Sequence, residues 1–153
     1  MVELKEITLA NIWDVVDLKV NDNQKKFVAD NAVSIAQSKV QPECIPLAIY
    51  GDNILVGFLM YCIDRSIYKD NEYWIYRLMI DEKYQGKGYR KKAMEIIIDK
   101  IKEDKTHNRI MTSFEPENII AKKLYQKLGF ELTGEMTGEI DDNDREEIME
   151  LKY

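Results

Sequence analysis

Four stretches of the chain repeat an apolar residue every three or four positions, the period of an amphipathic helix. We predict helices over residues 7–19, 24–39, 88–104 and 116–128. Their apolar stripes are, in order, Leu9, Ile12, Trp13, Val16 and Val20; Phe27, Val28, Ala32, Ile35 and Ala36; Ala93, Met94, Ile97, Ile98 and Ile101; and Ile120, Ala121, Leu124, Tyr125 and Leu128. Pro42 and Pro46 end the second helix, and Gly129 suits the end of the fourth.

The segments between the helices have the patterns of strands. A short strand precedes residue 7, and residues 45–50 and 54–63 predict a hairpin, since Gly51-Asp52-Asn53 between them tolerate positive φ. Residues 72–81 alternate, which predicts two different faces. One face carries Trp74, Tyr76, Leu78 and Ile80, and the other carries Ile75, Arg77 and Met79.

Three further strands are predicted at residues 109–114, 130–137 and 146–152, and the last two flank an acidic turn at 138–144. The element order is strand, two helices, three strands, helix, strand, helix and two strands. This order predicts an α/β fold with a mixed central sheet flanked by helices. The helix at 88–104 is the crossover between two parallel strands.

Composition and charge exclude several classes of protein. The 153 residues fit one domain spanning 1–153. A net charge of −6 argues against a nucleic-acid partner held by bulk charge. The longest apolar run, 54–63, is about half of the ~20 residues that a membrane helix needs, so we expect no membrane partner. Cys44, Cys62 and His107 are too few for a metal site or a disulfide framework, and with no secretory signal they favour the cytoplasm.

The segment from Asp81 to Lys92 carries the clearest candidate chemistry. A strand runs into a turn with Gly86 and Gly88 and then directly into a helix. Unpaired N–H groups at a helix start attract anions, and four cations follow in a protein that is acidic elsewhere. A pyrophosphate suits this turn. The alternative is a tight structural turn beside a solvated helix face, because neither a Walker loop nor GxGxxG is present.

Two motifs resemble the GCN5-related N-acetyltransferases, the GNAT family. Residues 85–90, Gln-Gly-Lys-Gly-Tyr-Arg, resemble that family's Q/R-x-x-G-x-G/A phosphate loop, except that Arg90 replaces its last small residue. We infer that Arg90 either points away from the phosphates or adds a charge contact. Further along, Asn118, Ala121, Tyr125 and Gly129-Phe130 match the spacing of the family's second cofactor helix. The resemblance implies a single-domain GNAT (acyl-CoA N-acyltransferase) fold.

The resemblance also implies acetyl-CoA as co-substrate and Tyr125 as the catalytic acid. Its cofactor-binding residues would be Leu78, Met79, Ile80, Gln85, Gly86, Lys87, Gly88, Tyr89, Arg90, Lys91, Asn118 and Lys127. Asn118 and Tyr125 are seven residues apart, so they lie on one face of the helix, about 10.5 Å apart along its axis. A phenol with an ordinary pKa near ~10 is protonated at neutral pH and can protonate a departing thiolate. The alternative for Tyr125 is a plain core residue. The sequence identifies no general base.

Residues 23–37, 55–61 and 74–81 are similar to bacterial spermine/spermidine N-acetyltransferases. This similarity implies a small polyamine as the acceptor, bound by carboxylates and aromatic side chains. The substrate-binding candidates are Asp30, Glu72 and Trp74, with Asp22, Asp70, Tyr61 and Tyr68 as further members of the group. Each carboxylate could instead be a solvated surface acid.

Several alternatives stay open from the sequence. The acceptor could be another amine, namely a protein N-terminus, an aminoglycoside or an amino-acid derivative. A catalytically silent acyl-CoA-binding module is the alternative from another class. A homodimer is an expectation from the resemblance alone. The acidic residues between 139 and 150 are expected to form a solvated turn rather than a cation site.

Overall fold

The computed structural model describes residues 1–64, 72–138 and 145–153. Its strands are β1 (Val2–Glu6), β2 (Cys44–Gly51), β3 (Ile54–Asp64), β4 (Glu72–Ile80), β5 (Arg109–Phe114), β6 (Glu131–Met136) and β7 (Glu147–Lys152). Its helices are α1 (Ile12–Asp17), α2 (Asn31–Val40), α3 (Tyr89–Lys102) and α4 (Ile119–Lys127), with short 3₁₀ helices at Asp22–Phe27 and Glu82–Tyr84. Most of the acidic turn predicted at 138–144, together with Tyr68 and Asp70, lies outside the described residues.

The strands form one mixed sheet in the order β1-β2-β3-β4-β5-β7-β6. Neighbouring strands are antiparallel except β4 and β5, which are parallel. The connection between β4 and β5 runs through α3, so the predicted crossover and the α/β class are confirmed. Within the described part of the chain, no helix combines the length and apolar character needed to cross a membrane.

Two apolar layers cover the two faces of the sheet. The layer under α3 and α4 contains all five predicted stripe residues of α3, each of them buried, together with Tyr125 and Phe130. The layer on the other face contains Val15, Phe58, Met60 and Trp74. The local pattern predicted α3 correctly because its stripe packs along its whole length against the sheet.

The β2–β3 hairpin also follows its sequence signal. Asp52 and Asn53 adopt φ values of 50° and 65°, the left-handed region that these two residues tolerate. Cys44 and Cys62 lie opposite each other on β2 and β3, and both are buried. The turn and a bulge at Val56 together set the register that places the two thiols opposite each other.

The prediction for the first helix was wrong in extent and in its buried face. Helix α1 has only six residues, and Val15 is its buried residue. Leu9 and Trp13 are 87% and 71% exposed, so the predicted apolar stripe does not face the core. Asn11 shortens the helix at its start, because its side chain bonds the backbone of Glu6 and Thr8.

The second predicted helix, 24–39, is divided into two pieces. A 3₁₀ helix ends at Phe27, Val28 is extended with φ −149° and ψ 136°, and α2 begins at Asn31. The buried residues of α2 are Asn31 and Ser34 rather than the apolar stripe. Asn31 donates a hydrogen bond to the Val15 carbonyl at 2.9 Å, so a polar contact docks α2. Such a polar contact leaves no periodic apolar pattern in the sequence.

Strand β4 contains a bulge that changes which side chains share a face. Met60 pairs with Arg77 and Tyr61 pairs with Ile75, so Tyr76 is an extra residue in β4. Ile75, Leu78 and Ile80 consequently contact one apolar layer, and Trp74, Tyr76 and Met79 contact the other. The predicted alternation, with Trp74 and Leu78 on one face, was therefore wrong.

Gly57 of β3 lies opposite Ile80, and a side chain at Gly57 would collide with the backbone of β4. A Cβ there would overlap the Met79 carbonyl oxygen. A Cβ at Gly51 would instead meet the far end of the Tyr89 ring, which can move aside. Gly57→Ala should lower the free energy of unfolding by about 2 kcal/mol, and Gly51→Ala should lower it by clearly less. Urea denaturation of the two variants measures both values, and an equal loss would contradict this account.

Candidate active site

The parallel ladder between β4 and β5 ends where the candidate site begins. Its last pair is Ile75 with Thr112, and beyond it residues 77–80 of β4 pair, within the described ranges, with β3 alone. Ser113 and Phe114 of β5 pair with β7. The bulge at Tyr76 lies at this point, and the two strands diverge beyond it. The divergence leaves an edge of β4 without a strand partner among the described residues.

A cavity of about 470 Å³ occupies the space between the diverging strands. The residues that line it come from β4, the first turn of α3, the end of β5, the start of α4 and the segment that follows α1. The ones used below are Lys25, Lys26, Arg77, Leu78, Arg90, Ser113, Phe114, Asn118, Tyr125 and Glu146. The wall is thus built from strand ends and helix starts, the usual place for a ligand in a sheet of this kind.

Tyr125 lies in the wall of this cavity on α4 and is 7% exposed. The rings of Phe114 and Phe130 pack against its ring, with centroids 6.4 Å and 5.8 Å away. Burial raises the pKa of the Tyr125 phenol, and the neighbouring Thr112 hydroxyl and the Arg90 charge act in the opposite direction. The phenol is therefore held in its protonated form at neutral pH, which is the form that an acid catalyst needs.

Asn118 precedes the first residue of α4 and is half-buried. Its side-chain oxygen accepts a hydrogen bond from the Ala121 N–H at 3.2 Å, which caps the helix. Asn118 lines the same cavity as Tyr125. The spacing predicted from the sequence thus brings both residues to one cavity.

The turn before α3 has the geometry of an anion site. Gly86 and Gly88 have φ values of 76° and 81°, and no atom lies within 4 Å of a Cβ built on either residue. The N–H groups at the start of α3 have no helical acceptors, and the helix dipole makes this end positive. A phosphate could approach this backbone closely because both glycines lack a side chain.

Cations surround this turn, although most of them are already in contact with protein groups. The Lys87 ammonium is 5.3 Å from the centroid of the Tyr84 ring. Lys91 and Lys92 both pair with Glu95, at 3.5 Å and 3.1 Å. These are exposed pairs that a polyanion can rearrange at little cost.

Gln85, predicted to contact the cofactor, is bound within the protein. Its amide nitrogen donates to the Ile80 carbonyl at 2.9 Å and to the Gln24 side chain at 2.8 Å, and its oxygen accepts from Asn21 at 3.2 Å. The Gln85 side chain thus fastens the glycine turn to β4 and to the 3₁₀ helix. Any contact with a cofactor would come from its backbone.

Other predicted cofactor residues lie around the cavity with different orientations. Leu78 lines the cavity, whereas Met79 is buried on the opposite face, where Asn31 contacts its sulfur. The Tyr89 ring lies against Gly51 of β2, and Lys127 is exposed at the end of α4. The Met79 and Ile80 side chains are buried and the Tyr89 ring lies against Gly51, so any contact of these residues with a cofactor would come from their backbone.

Arg90 departs from the loop signature, and its side chain lines the cavity that contains Tyr125. It is half-buried, and this burial lowers the pKa of its guanidinium. Arg90 therefore shares a cavity with Tyr125, and the two alternatives drawn from the sequence for its relation to the phosphates stay predictions.

The three predicted substrate residues are not brought together with Tyr125. Glu72 is buried at the opposite end of β4 in an ion pair with Arg109. Trp74 is buried on the other face of the sheet, in the apolar layer that also contains Phe58 and Met60. Asp30 lies just before α2 in a neighbouring depression rather than in the cavity. Asp70 and Tyr68 lie outside the described residues.

Glu146 is a cavity residue that the sequence did not single out. Its carboxylate accepts a hydrogen bond from the Ser113 hydroxyl, and both side chains line the cavity. The Thr137 hydroxyl accepts from the Glu146 N–H at 3.0 Å, which fixes the start of β7. In the sequence Glu146 is one of many acidic residues near the C-terminus, and only the pairing of β5 with β7 distinguishes it from them.

The fold and the site define a class of protein. An extended anionic thioester such as an acyl-CoA suits this site. The site combines an open β4 edge, a glycine turn at a helix start and a buried phenol in the cavity wall. The molecule has the architecture of an acyl-CoA-dependent N-acyltransferase. Residues 12–130 match the model of the acetyltransferase (GNAT) family, and the chain belongs to this family. It is an N-acetyltransferase, and acetyl-CoA is its acetyl donor.

Known proteins resemble this chain in sequence and in fold. It is 34% identical over 138 residues to the spermine/spermidine N(1)-acetyltransferase of Bacillus subtilis strain 168, covering 88% of this chain and 91% of the relative. An aminoglycoside acetyltransferase bound to coenzyme A and kanamycin superposes with a TM-score of 0.80 at 16% identity, over 99% of this chain and 95% of that chain. Spermidine N-acetyltransferase from Vibrio cholerae, bound to CoA and spermine, gives 0.75 at 16% identity over the same shares.

Proposed function

We propose that this acetyltransferase transfers the acetyl group to a primary amine of a small polyamine such as spermidine or spermine. The observation that carries the proposal is the cavity between β4 and β5, which has the buried Tyr125 phenol and the Glu146 carboxylate in its wall. The 34% identity to a spermine/spermidine N(1)-acetyltransferase supports the choice of acceptor. We further propose a cytoplasmic location, which suits two buried thiols.

The donor is proposed to lie along β4 and across the glycine turn. The N–H groups around Gly86 and Gly88 and the cations Lys87 and Lys91 would hold the pyrophosphate. The unpaired edge at residues 78–80 would bind the pantetheine arm through its backbone, as an added strand would. Acetyl-CoA supplies a thioester whose carbonyl carbon is open to attack by an amine.

Transfer is proposed to be direct, within a complex that holds both substrates. The acceptor must first lose its ammonium proton, and its nitrogen then forms a bond to the carbonyl carbon. The carbon–sulfur bond breaks, and the sulfur keeps the electron pair. Tyr125 donates its phenolic proton to that sulfur, and the nitrogen loses a second proton to give a neutral amide. Backbone N–H groups of β4 near Met79 would stabilise the developing oxyanion.

Glu146 is the proposed anchor for the cationic acceptor. Among the described residues that line the cavity, Glu146 is the one with a carboxylate. The other charged lining residues are the cations Lys25, Lys26, Arg77 and Arg90. An ammonium group would bind where this negative charge lies, with Ser113 orienting the carboxylate. A carboxylate next to the attacking nitrogen would oppose its deprotonation, so Glu146 is proposed to hold a different nitrogen of the polyamine.

The alternative acceptors share the same chemistry and are separated by experiment. An aminoglycoside carries several ammonium groups, and the fold is that of an aminoglycoside acetyltransferase as well as of a spermidine acetyltransferase. A peptide N-terminus or an amino-acid derivative would bring a single amine. A silent acyl-CoA-binding module is disfavoured because Tyr125 and Asn118 both line the cavity.

Tyr125→Phe tests the proposed acid. The variant keeps the ring packing against Phe114 and Phe130 but lacks the proton, so kcat should fall about 100-fold while the Kd for CoA changes less than about twofold. Steady-state thiol release and calorimetric CoA titration measure the two quantities. Tyr50→Phe, on β2, is the matched control and should retain full activity. An unchanged kcat in Tyr125→Phe would remove this residue as the acid.

A panel of acceptors tests the proposed substrate. The kcat/KM for thiol release from acetyl-CoA should be higher with spermidine or spermine than with kanamycin, a peptide N-terminus or a free amino acid. The kcat/KM for polyamines should fall as ionic strength rises, because salt screens a charge attraction. Glu146→Gln should raise the polyamine KM about tenfold and leave the KM for acetyl-CoA unchanged.

Glu103→Gln, which removes an exposed carboxylate after α3, is the control for this panel. Preference for a singly charged amine, or indifference to both salt and Glu146→Gln, would contradict a polyamine acceptor.

A further inference from the structure

Arg90 has a charged side chain in the wall of the cavity where the transfer is proposed to occur. It follows Gly88 in the first turn of α3, so its backbone faces the glycine turn while its side chain extends into the cavity wall. Tyr125 approaches the same cavity from α4. The loop signature has a small residue at this position, so the phosphate turn itself does not require an arginine there.

The guanidinium of Arg90 is half-buried, and among the described residues it has no ionic partner. No carboxylate in the described parts of the chain forms an ion pair with it, although burial of an unpaired cation is costly. The charge of Arg90 acts on the Tyr125 phenol, lowering its pKa against the larger effect of burial. An arginine stays protonated in proteins, so this charge is permanent.

The other charged groups around the cavity each contact a neighbouring group of the protein. Lys25 pairs with Asp22 at 2.5 Å, and Lys26 pairs with Glu117. The Arg77 guanidinium donates to the Tyr76 carbonyl at 2.9 Å and so holds the bulge of β4. Glu146, whose charge raises the pKa of Tyr125 slightly, accepts from Ser113. Of these groups, Arg90 is the cation whose charge acts on the phenol.

We propose that Arg90 stabilises the phenolate that Tyr125 becomes when it gives its proton to the departing sulfur. The proton moves from the phenol oxygen to sulfur, and the negative charge moves from sulfur to that oxygen. The positive charge of Arg90 stabilises it there. This inference rests on the proposed role of Tyr125 as the acid. Arg90 acts through Tyr125, and it is thus a positioning residue that makes the buried phenol a stronger acid.

Direct titration of Tyr125 tests the interaction without any turnover. In protein labelled with ¹³C at tyrosine Cζ, the Tyr125 resonance is the one that disappears in Tyr125→Phe. Arg90→Ala should raise the midpoint of the Tyr125 titration by about one pH unit, since one neighbouring charge shifts a pKa by roughly 1–3 units. At any fixed alkaline pH Tyr125 is then less ionised. Arg90→Lys should restore most of the wild-type midpoint.

Kinetics test whether the interaction serves catalysis. Arg90→Ala should lower kcat about tenfold with little change in the KM for acetyl-CoA, and Arg90→Lys should recover most of the rate. In a Tyr125→Phe background, Arg90→Ala should have almost no further effect, because its partner is gone. Lys100→Ala removes an exposed cation from the other end of α3 and is the matched control.

The outcomes separate this inference from the proposed function. An unchanged Tyr125 midpoint in Arg90→Ala, or a raised KM for acetyl-CoA with an unchanged kcat, would overturn the role of Arg90 and indicate phosphate binding instead. Equal loss of rate from Arg90→Ala with and without the Tyr125 hydroxyl would overturn it as well. If Tyr125→Phe itself keeps full activity, the proposed acid fails, and the titration still reports whether Arg90 acts on the phenol.

Discussion

The end of the parallel ladder after Ile75 and Thr112 is the constraint on which the site depends. Parallel neighbours satisfy each other's backbone groups for as long as they stay together, and here β4 bulges at Tyr76 while β5 follows β7. In the part of the chain that the structure describes, the backbone of residues 77–80 is left with one neighbouring strand, β3. Unpaired backbone groups away from water are costly, so this edge is a natural binding surface for an extended ligand.

Under the proposed function, the charge distribution offers the two substrates different places to bind. The net charge of the chain is −6, yet four of the five charged side chains named in the cavity wall are cations, and further lysines surround the glycine turn. A polyphosphate suits the cationic end near α3, whereas an ammonium suits the side of Glu146, which comes from the start of β7. The fold thus separates opposite charges by assigning them to different elements around one cavity.

The sequence predicted those parts of the molecule whose signals are local. The stripe of α3, the Asp52-Asn53 turn and the glycine turn each depend on residues within a few positions of one another, and all three are present in the structure. Tyr125 and Asn118 reach one cavity because they share one helix.

The wrong predictions depend on contacts between distant segments. Asn31 docks α2 through a hydrogen bond to Val15, the bulge in β4 exists only against β3, and Glu146 reaches the cavity through the pairing of β7 with β5. None of these three contacts leaves a periodic signal. The polyamine candidates Glu72 and Trp74 were misplaced for the same reason, since an ion pair and a strand face decided their positions.

Hydrogen–deuterium exchange with and without coenzyme A is the most direct test of the claim that the β4 edge and the glycine turn form the donor site. Added coenzyme A should slow exchange of the amides in residues 77–80 and 86–91 and leave the β1–β2 pair unchanged. Unaltered exchange at both segments under saturating coenzyme A, or protection confined to another part of the sheet, would contradict it.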